Sequence, residues 1–280
     1  MTFQLSRSLK VPILMYHSIS DDVSPDFRRF SVSPTTFVQQ MEHLSENGFT
    51  PITCAELGSW MGTAIRKRPE RPVVLTFDDA FEDFYHNALP ILVDRGFHAT
   101  LFIPTDYVGK TGTWLHEVGE DRRPIVGWNQ LEEIRSSGIE CASHGDRHIP
   151  LDRALTETVR SDVTRSKIIL EDRLGSEVLS FAYPHGYLNP RVKQIVQEAG
   201  FTSAYAIRYK VSSLRDDHFA LPRLIVLPSP NLSQFAKLVA GRQFLFRQSS
   251  LGLRSILWHQ LRRTLPHVAQ STEGAHAGIR

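Results

Sequence analysis

The chain has 280 residues, 41% apolar and 22% charged, which is the make-up of an ordinary folded domain and excludes a disordered or fibrous chain. Thirty-two Lys and Arg against thirty Asp and Glu leave a net charge of +2, so no global basic field points to nucleic acid. The two cysteines, Cys54 and Cys141, are far apart with no Cys-x-x-Cys, which excludes a disulfide framework and a thiolate metal knuckle.

From the N-terminus, the apolar stretch at residues 11–16 is shorter than the roughly 7–15 residues of a signal-peptide core. No apolar run approaches the roughly 18 residues of a membrane span. The chain therefore reads as cytoplasmic or peripheral to the inner face of a membrane. Short apolar runs then alternate with amphipathic segments, the pattern of β/α units around a parallel sheet or barrel. Strands are expected at residues 12–17, 73–77, 99–104, 139–142, 179–182, 203–207 and 224–227, and seven of them suggest a barrel. Helices are expected where Ser33-Pro34 supplies a cap and a first turn, across residues 155–174 up to Gly175, and from Asn189-Pro190 to Gly200. The polar, glycine-rich stretch 105–127 has the length of a functional lid. One domain over residues 1–230 is expected, followed by a helical, basic tail over 231–280.

Four segments carry chemistry. The strand Val73–Phe77 delivers Asp78-Asp79 at its carboxyl end, where β/α folds place active sites. One carboxylate can bind a metal while the other faces substrate; the plainer reading is a pair of helix caps. Ser143-His144-Gly145-Asp146-Arg147-His148 follows the next-but-one strand, and its two histidines converge on one cation if the residues between them form a helical turn. Two imidazoles and one carboxylate are the open ligand set of a catalytic divalent ion. They suit zinc foremost and admit cobalt, nickel or iron. Phe181-Ala182-Tyr183-Pro184-His185-Gly186 is a strand running into a turn that can present the His185 backbone N–H to an oxyanion. Leu14-Met15-Tyr16-His17 ends the first strand with a lone histidine, a residue type that more often is structural.

Together these segments resemble the polysaccharide deacetylases, the NodB-homology group or carbohydrate esterase family four, over about residues 11–228. Thr76-Phe77-Asp78-Asp79 matches the family's Thr-Phe-Asp-Asp, His144 to His148 its His-x-x-x-His, and Leu221-Pro222-Arg223 a later segment. Met15-Tyr16-His17 and the Phe-Ala-Tyr-Pro turn are most similar to the subgroup that de-N-acetylates poly-N-acetylglucosamine exopolysaccharides. The resemblance implies a distorted (β/α)7 barrel and a hydrolase that removes N-acetyl groups from a GlcNAc-containing glycan. It implies Asp79, His144 and His148 as metal ligands, Asp78 as general base, His17 as general acid and the His185 N–H as oxyanion donor. The late Leu-x-His of most members is missing. Ala80 replaces the usual Gly, which is tolerated unless φ is positive there. Ala182 replaces an Arg that would hold the base, and His185 replaces an aromatic. Trp128, Trp114, His116 and Glu117 are candidate substrate contacts.

The competing readings are a deacylase of a small amide or imide using the same site, and a glycan-binding pseudoenzyme. Residues 218–272 carry seven Lys and Arg and no acid, whereas residues 1–217 carry 24 against 29 acids. Leu253, Ile256, Leu257, Leu261 and Leu265 repeat there at helical spacing. A peripheral contact of residues 241–272 with an anionic membrane or a synthase is the functional reading, and packing on the barrel the structural one.

Overall fold

The structure is a computed structural model, and it describes residues 9–61, 68–228 and 231–241. Eight parallel strands build the framework: β1 (Ile13–Tyr16), β2 (Thr50–Ile52), β3 (Pro72–Phe77), β4 (Thr100–Ile103), β5 (Glu140–Ser143), β6 (Ser180–Ala182), β7 (Ser203–Ile207) and β8 (Leu221–Ile225). Seven of them close on themselves in the order β1-β8-β7-β6-β5-β4-β3, with β3 returning to β1 through Ile13↔Val74 to Tyr16↔Phe77. This is the expected (β/α)7 barrel. Strand β2 is an addition that the apolar pattern did not reveal. It pairs with the first half of β3, on the edge that β4 takes over nearer the carboxyl end. Only three residues long and with Pro51 at its centre, it has too little pattern to read, and proline is tolerated because β2 stands outside the closed ring.

Alternation along the strands makes two cores. Ile13, Val74, Phe102, Ala142, Ala182, Tyr205 and Leu221 fill the barrel axis. Their neighbours Leu14, Leu75, Leu101, Phe181 and Ala204 face out to the helices. The amino-terminal end of the barrel is plugged by α2 (Cys54–Trp60), whose Cys54, Leu57 and Trp60 join the axial core.

Around the barrel lie α1 (Pro34–Glu46), α3 (Leu89–Asp94), α4 (Trp128–Ser136), α5 (Thr156–Leu174), α6 (Pro190–Glu198) and α7 (Leu232–Val239). The sequence-level caps hold: Ser33 Oγ accepts the Thr36 N–H at 3.0 Å, and Asn189 Oδ1 the Val192 N–H at 2.9 Å. Gly175 ends α5. Phe235 of α7 sets its ring edge-on to His43 of α1, and Phe235 and Val239 are buried in the same outer core. The amphipathic segment at 253–265 and the rest of the basic tail from 242 on lie outside the described residues. Among the described residues no helix is long and apolar enough to cross a membrane.

Candidate active site and metal centre

At the carboxyl end of the barrel the ladder continues one step past β3: the Asp78 N–H donates to the Tyr16 carbonyl at 3.0 Å. The period-two alternation that turns Val74 inward also turns Thr76 and Asp78 toward the axis. The chain then bends sharply, with φ of +73° at Asp79 and +54° at Ala80. The condition under which Ala80 would be a tolerated substitute is thus not met: an alanine holds a left-handed conformation that costs about 1–3 kcal/mol. Neither carboxylate caps a helix, because the helical turn Phe84–Ala88 begins only after Asp83.

His144 extends β5 in the same way, through its N–H to the Ile103 carbonyl at 2.9 Å. The segment from His144 to His148 is not a helical turn. It is an irregular loop with left-handed Gly145 (+74°) and His148 (+51°), and this loop, rather than helix periodicity, brings the two rings together with centroids 5.0 Å apart. The ligand atoms of Asp79, His144 and His148 all lie within 4.8 Å of one another. Asp79 Oδ1 is 3.1 Å from His148 Nε2 and 3.6 Å from His144 Nε2, and it is buried without a hydrogen-bond partner. A buried carboxylate oxygen left unpaired between two imidazole nitrogens is a costly arrangement that a cation would relieve. His144 Nδ1 lies 2.8 Å from the Ala182 carbonyl, so it carries the proton and leaves Nε2 bare for a metal. Burial holds the His144 ring neutral, with its pKa lowered to about 4 despite the nearby Asp78. The donor set therefore fits a divalent ion.

Asp78 is gripped separately. Arg223 of β8, fully buried, donates Nη1 to Oδ1 at 2.6 Å and Nη2 to Oδ2 at 2.8 Å. Its guanidinium stands over the Phe102 ring at 5.3 Å, and Nη1 also reaches Thr76 Oγ1 at 3.3 Å. Burial alone would raise the Asp78 carboxyl, but the Arg223 cation and then His144 hold it below the usual carboxylate range. Asp79 is likewise pushed up by burial and pulled below its ordinary range by the His148 ring. Arg223 thus does for Asp78 what Ala182 cannot. In the sequence Leu221-Pro222-Arg223 stands out as a family segment, with no role for Arg223. The signal was there: a lone cation in an apolar strand, two residues after inward Leu221, must face the axis and needs an anion.

His17 follows Tyr16, whose strand partner is Phe77, so it stands beside Asp78 and is close enough to lower both aspartates electrostatically. Its ring rests on Phe30 at 5.3 Å. His185 sits at φ +59° in the turn after β6, its ring 4.6 Å from His148. Gly186 must be glycine there, since a Cβ would come within 2.5 Å of Ile207. The site therefore gathers His17, Asp78, Asp79, His144, His148 and His185 at one end of the barrel. Of the stretch 105–127, Trp114 reaches the centre: its ring is 4.6 Å from His148, edge-on to Tyr107 and parallel to Phe81. Trp128 instead opens α4 under the Arg173 guanidinium, and His116 and Glu117 are exposed.

A family model for polysaccharide deacetylases matches residues 65–204, half of the chain. The chain belongs to the polysaccharide deacetylase family. By that membership it is a carbohydrate de-N-acetylase, a hydrolase. The matched stretch contains Asp78, Asp79, His144, His148 and His185, but neither His17 nor Arg223. Over 229 residues the chain is 29% identical to YxkH of Bacillus subtilis, covering 82% of this chain and 76% of that protein. It is 24% identical to the poly-β-1,6-N-acetyl-D-glucosamine N-deacetylase of Staphylococcus aureus, covering 72% of this chain and 70% of that one. Among solved structures, the Streptococcus pyogenes deacetylase PplD, in complex with acetate, superposes with a TM-score of 0.70 at 27% identity, over 82% of this chain and 99% of that one. IcaB from Ammonifex degensii shares the fold, with a TM-score of 0.71 at 23% identity over 84% and 97%.

Proposed function

We propose that this deacetylase removes N-acetyl groups from a polymer containing N-acetylglucosamine, with Asp79, His144 and His148 holding one divalent cation, zinc in the first instance. The observation that carries the reading is the division of labour between the adjacent aspartates. Asp79 turns its unpaired oxygen to the two imidazoles, while Asp78 is held ionised by Arg223 alongside them. The likeness to the staphylococcal N-deacetylase supports the glycan as substrate.

When bound, the cation supplies Lewis acidity, acidifying a water and polarising the amide carbonyl. Asp78, kept as the carboxylate, accepts the proton that the water loses as its oxygen bonds to the carbonyl carbon. The His185 N–H donates toward the oxygen on which negative charge develops. As the carbon–nitrogen bond breaks, His17 gives a proton to the departing amine, leaving acetate and a free glucosamine nitrogen. The partner this chemistry requires is an N-acetylated polysaccharide.

The test is acetate release from N-acetylated β-1,6-glucosamine oligomers, compared with small amides. Asp78→Asn is expected to retain zinc and to lose turnover by about 10²- to 10⁴-fold, the contribution of a general base. Removing metal with a chelator is expected to stop acetate release and added zinc to restore it. Release from small amides alone would favour the amidohydrolase reading, and undiminished release by Asp78→Asn would refute the assignment of the base.

A further inference from the structure

The turn that carries both histidine ligands has no secondary structure of its own, so its main-chain N–H groups need acceptors from elsewhere. Helix α5 supplies them for Asp146 and Arg147. The fully buried side chain of Asp162 accepts the Asp146 N–H at 2.9 Å on one oxygen. Its other oxygen takes the Arg147 N–H at 3.0 Å and Arg147 Nε at 3.3 Å. Four residues on, on the same face of α5, Ser166 Oγ meets Ser143 Oγ at 2.7 Å, and Ser143 Oγ in turn accepts the Gly145 N–H at 3.2 Å. The loop lies so close to the carboxylate that a Cβ on Gly145 would be 2.6 Å from Asp162 Oδ1. Thr105 Oγ1, after β4, donates to Asp146 Oδ1 at 2.6 Å, and Arg165 Nε of α5 lies 3.1 Å from Asp146 Oδ2.

A carboxylate on two consecutive main-chain N–H groups makes charge-assisted bonds that constrain the backbone at the middle of the turn. His144 and His148 are the ends of that turn. We propose that Asp162 is a positioning residue of the metal centre, its carboxylate locking the His144–His148 loop so that both Nε2 atoms face Asp79 before a cation arrives. This rests on the reading of Asp79, His144 and His148 as ligands. Preorganisation of this kind raises metal affinity, because binding no longer has to order the loop.

Zinc affinity of the full chain, measured by competition with a chromophoric chelator, tests it, together with thermal unfolding of the metal-free protein. Asp162→Asn keeps the shape but turns one acceptor into an NH2 group facing a main-chain N–H. It is expected to weaken zinc binding roughly 10- to 100-fold, the range for outer partners of metal ligands, while kcat recovers toward wild type at saturating zinc. Gly145→Ala, which pushes the loop off an intact Asp162, is expected to weaken zinc binding in the same direction, and it decides the matter if Asp162→Asn does not fold. Wild-type affinity in folded Asp162→Asn, or in Gly145→Ala, overturns the positioning role while leaving the ligand assignment standing. A wild-type chain that takes up no zinc overturns the ligand assignment and the positioning role together.

Discussion

Arg223 is the single charged side chain of β8, and its guanidinium stands over Phe102 in an axial core of apolar side chains. A guanidinium in such a place is tolerable only with a carboxylate at hydrogen-bond distance, and removing one member of a buried pair costs about 3–5 kcal/mol. The same pairing decides the chemistry. Asp78 is buried, and burial alone pushes a carboxyl up; the two charge-assisted bonds from Arg223 reverse that. Because the folded pKa is depressed, the base is ionised, and its stabilising contribution present, above the ordinary carboxylate pKa; both are lost as pH falls through the depressed value. In Arg223→Met the burial effect is unopposed, so the acidic limb of kcat/KM against pH is expected to move to higher pH. Arg223→Lys, which keeps the charge but not the fork, should shift it less. An unmoved limb in Arg223→Met would mean that another group sets the ionisation of Asp78. At this scale the site was largely legible: Asp78, Asp79, His144 and His148 stand out as charged or imidazole side chains at strand ends. Arg223 was not assigned, because its partner lies 145 residues away in sequence and only barrel closure joins them.

The elements around the site explain what the sequence pattern could and could not carry. Strands β1 and β3 to β7 were visible as apolar runs because both of their faces are buried, one on the axis and one under helices. The three-residue β2 lacked that length, and β8 was read three residues late, at 224–227, because Pro222 hides its start. The stretch 105–127 has no period because turns, the antiparallel bridges Phe81↔Ile125 and Thr111↔Pro124, and a side chain that spans three segments hold it. Arg123 donates Nη1 to Asp83 Oδ2 at 2.9 Å, Nε to Glu120 Oε2 at 3.0 Å and Nη2 to the Asp22 carbonyl at 2.8 Å. Asp83 in turn accepts Ser18 Oγ and the Ile19 N–H, at 2.8 and 2.9 Å, immediately after His17. One buried guanidinium thus ties the segment bearing Trp114 to the segment bearing His17. Arg123→Met takes the cation away from the nearly buried carboxylates of Asp83 and Glu120, at a cost on the order of 3 kcal/mol. The expected result is faster hydrogen exchange over residues 108–126 and a KM for the glycan raised about tenfold, with turnover of a small amide changed much less. Unchanged protection over 108–126 would show that the segment is held by something other than this clasp.

Across the whole molecule, the two ends of the barrel have opposite electrostatic character. At the carboxyl end Asp78 and Asp79 are depressed by Arg223 and the histidines. At the amino end Glu140 starts β5 beneath the plug helix α2. Its Oε2 accepts the Ala55 N–H at 2.9 Å and Thr100 Oγ1 at 2.8 Å, while the neighbouring Cys54 N–H goes to Thr100 Oγ1 at 2.9 Å. No cation answers Glu140 among these contacts, and burial raises its pKa despite hydrogen bonds from Ala55, Ser180, Thr100 and Cys54. The linkage signs are therefore opposed. An acid raised in the folded state contributes stability that is full below the ordinary glutamate pKa and is lost as pH rises through the raised value, whereas Asp78 and Asp79 lose theirs as pH falls. Catalysis and the plug are thereby separable. Glu140→Gln removes the titrating group at the amino end and touches nothing at the metal centre, so acetate release by the folded variant should match wild type. Melting temperatures of the two proteins, compared at each pH from 4 to 8, should show the wild-type advantage shrinking as pH rises, because only the wild type must ionise a buried carboxyl there. A difference that grows with pH would mean that Glu140 is stabilised as the anion by the α2 main chain, and that the plug, like the active site, depends on a buried charge.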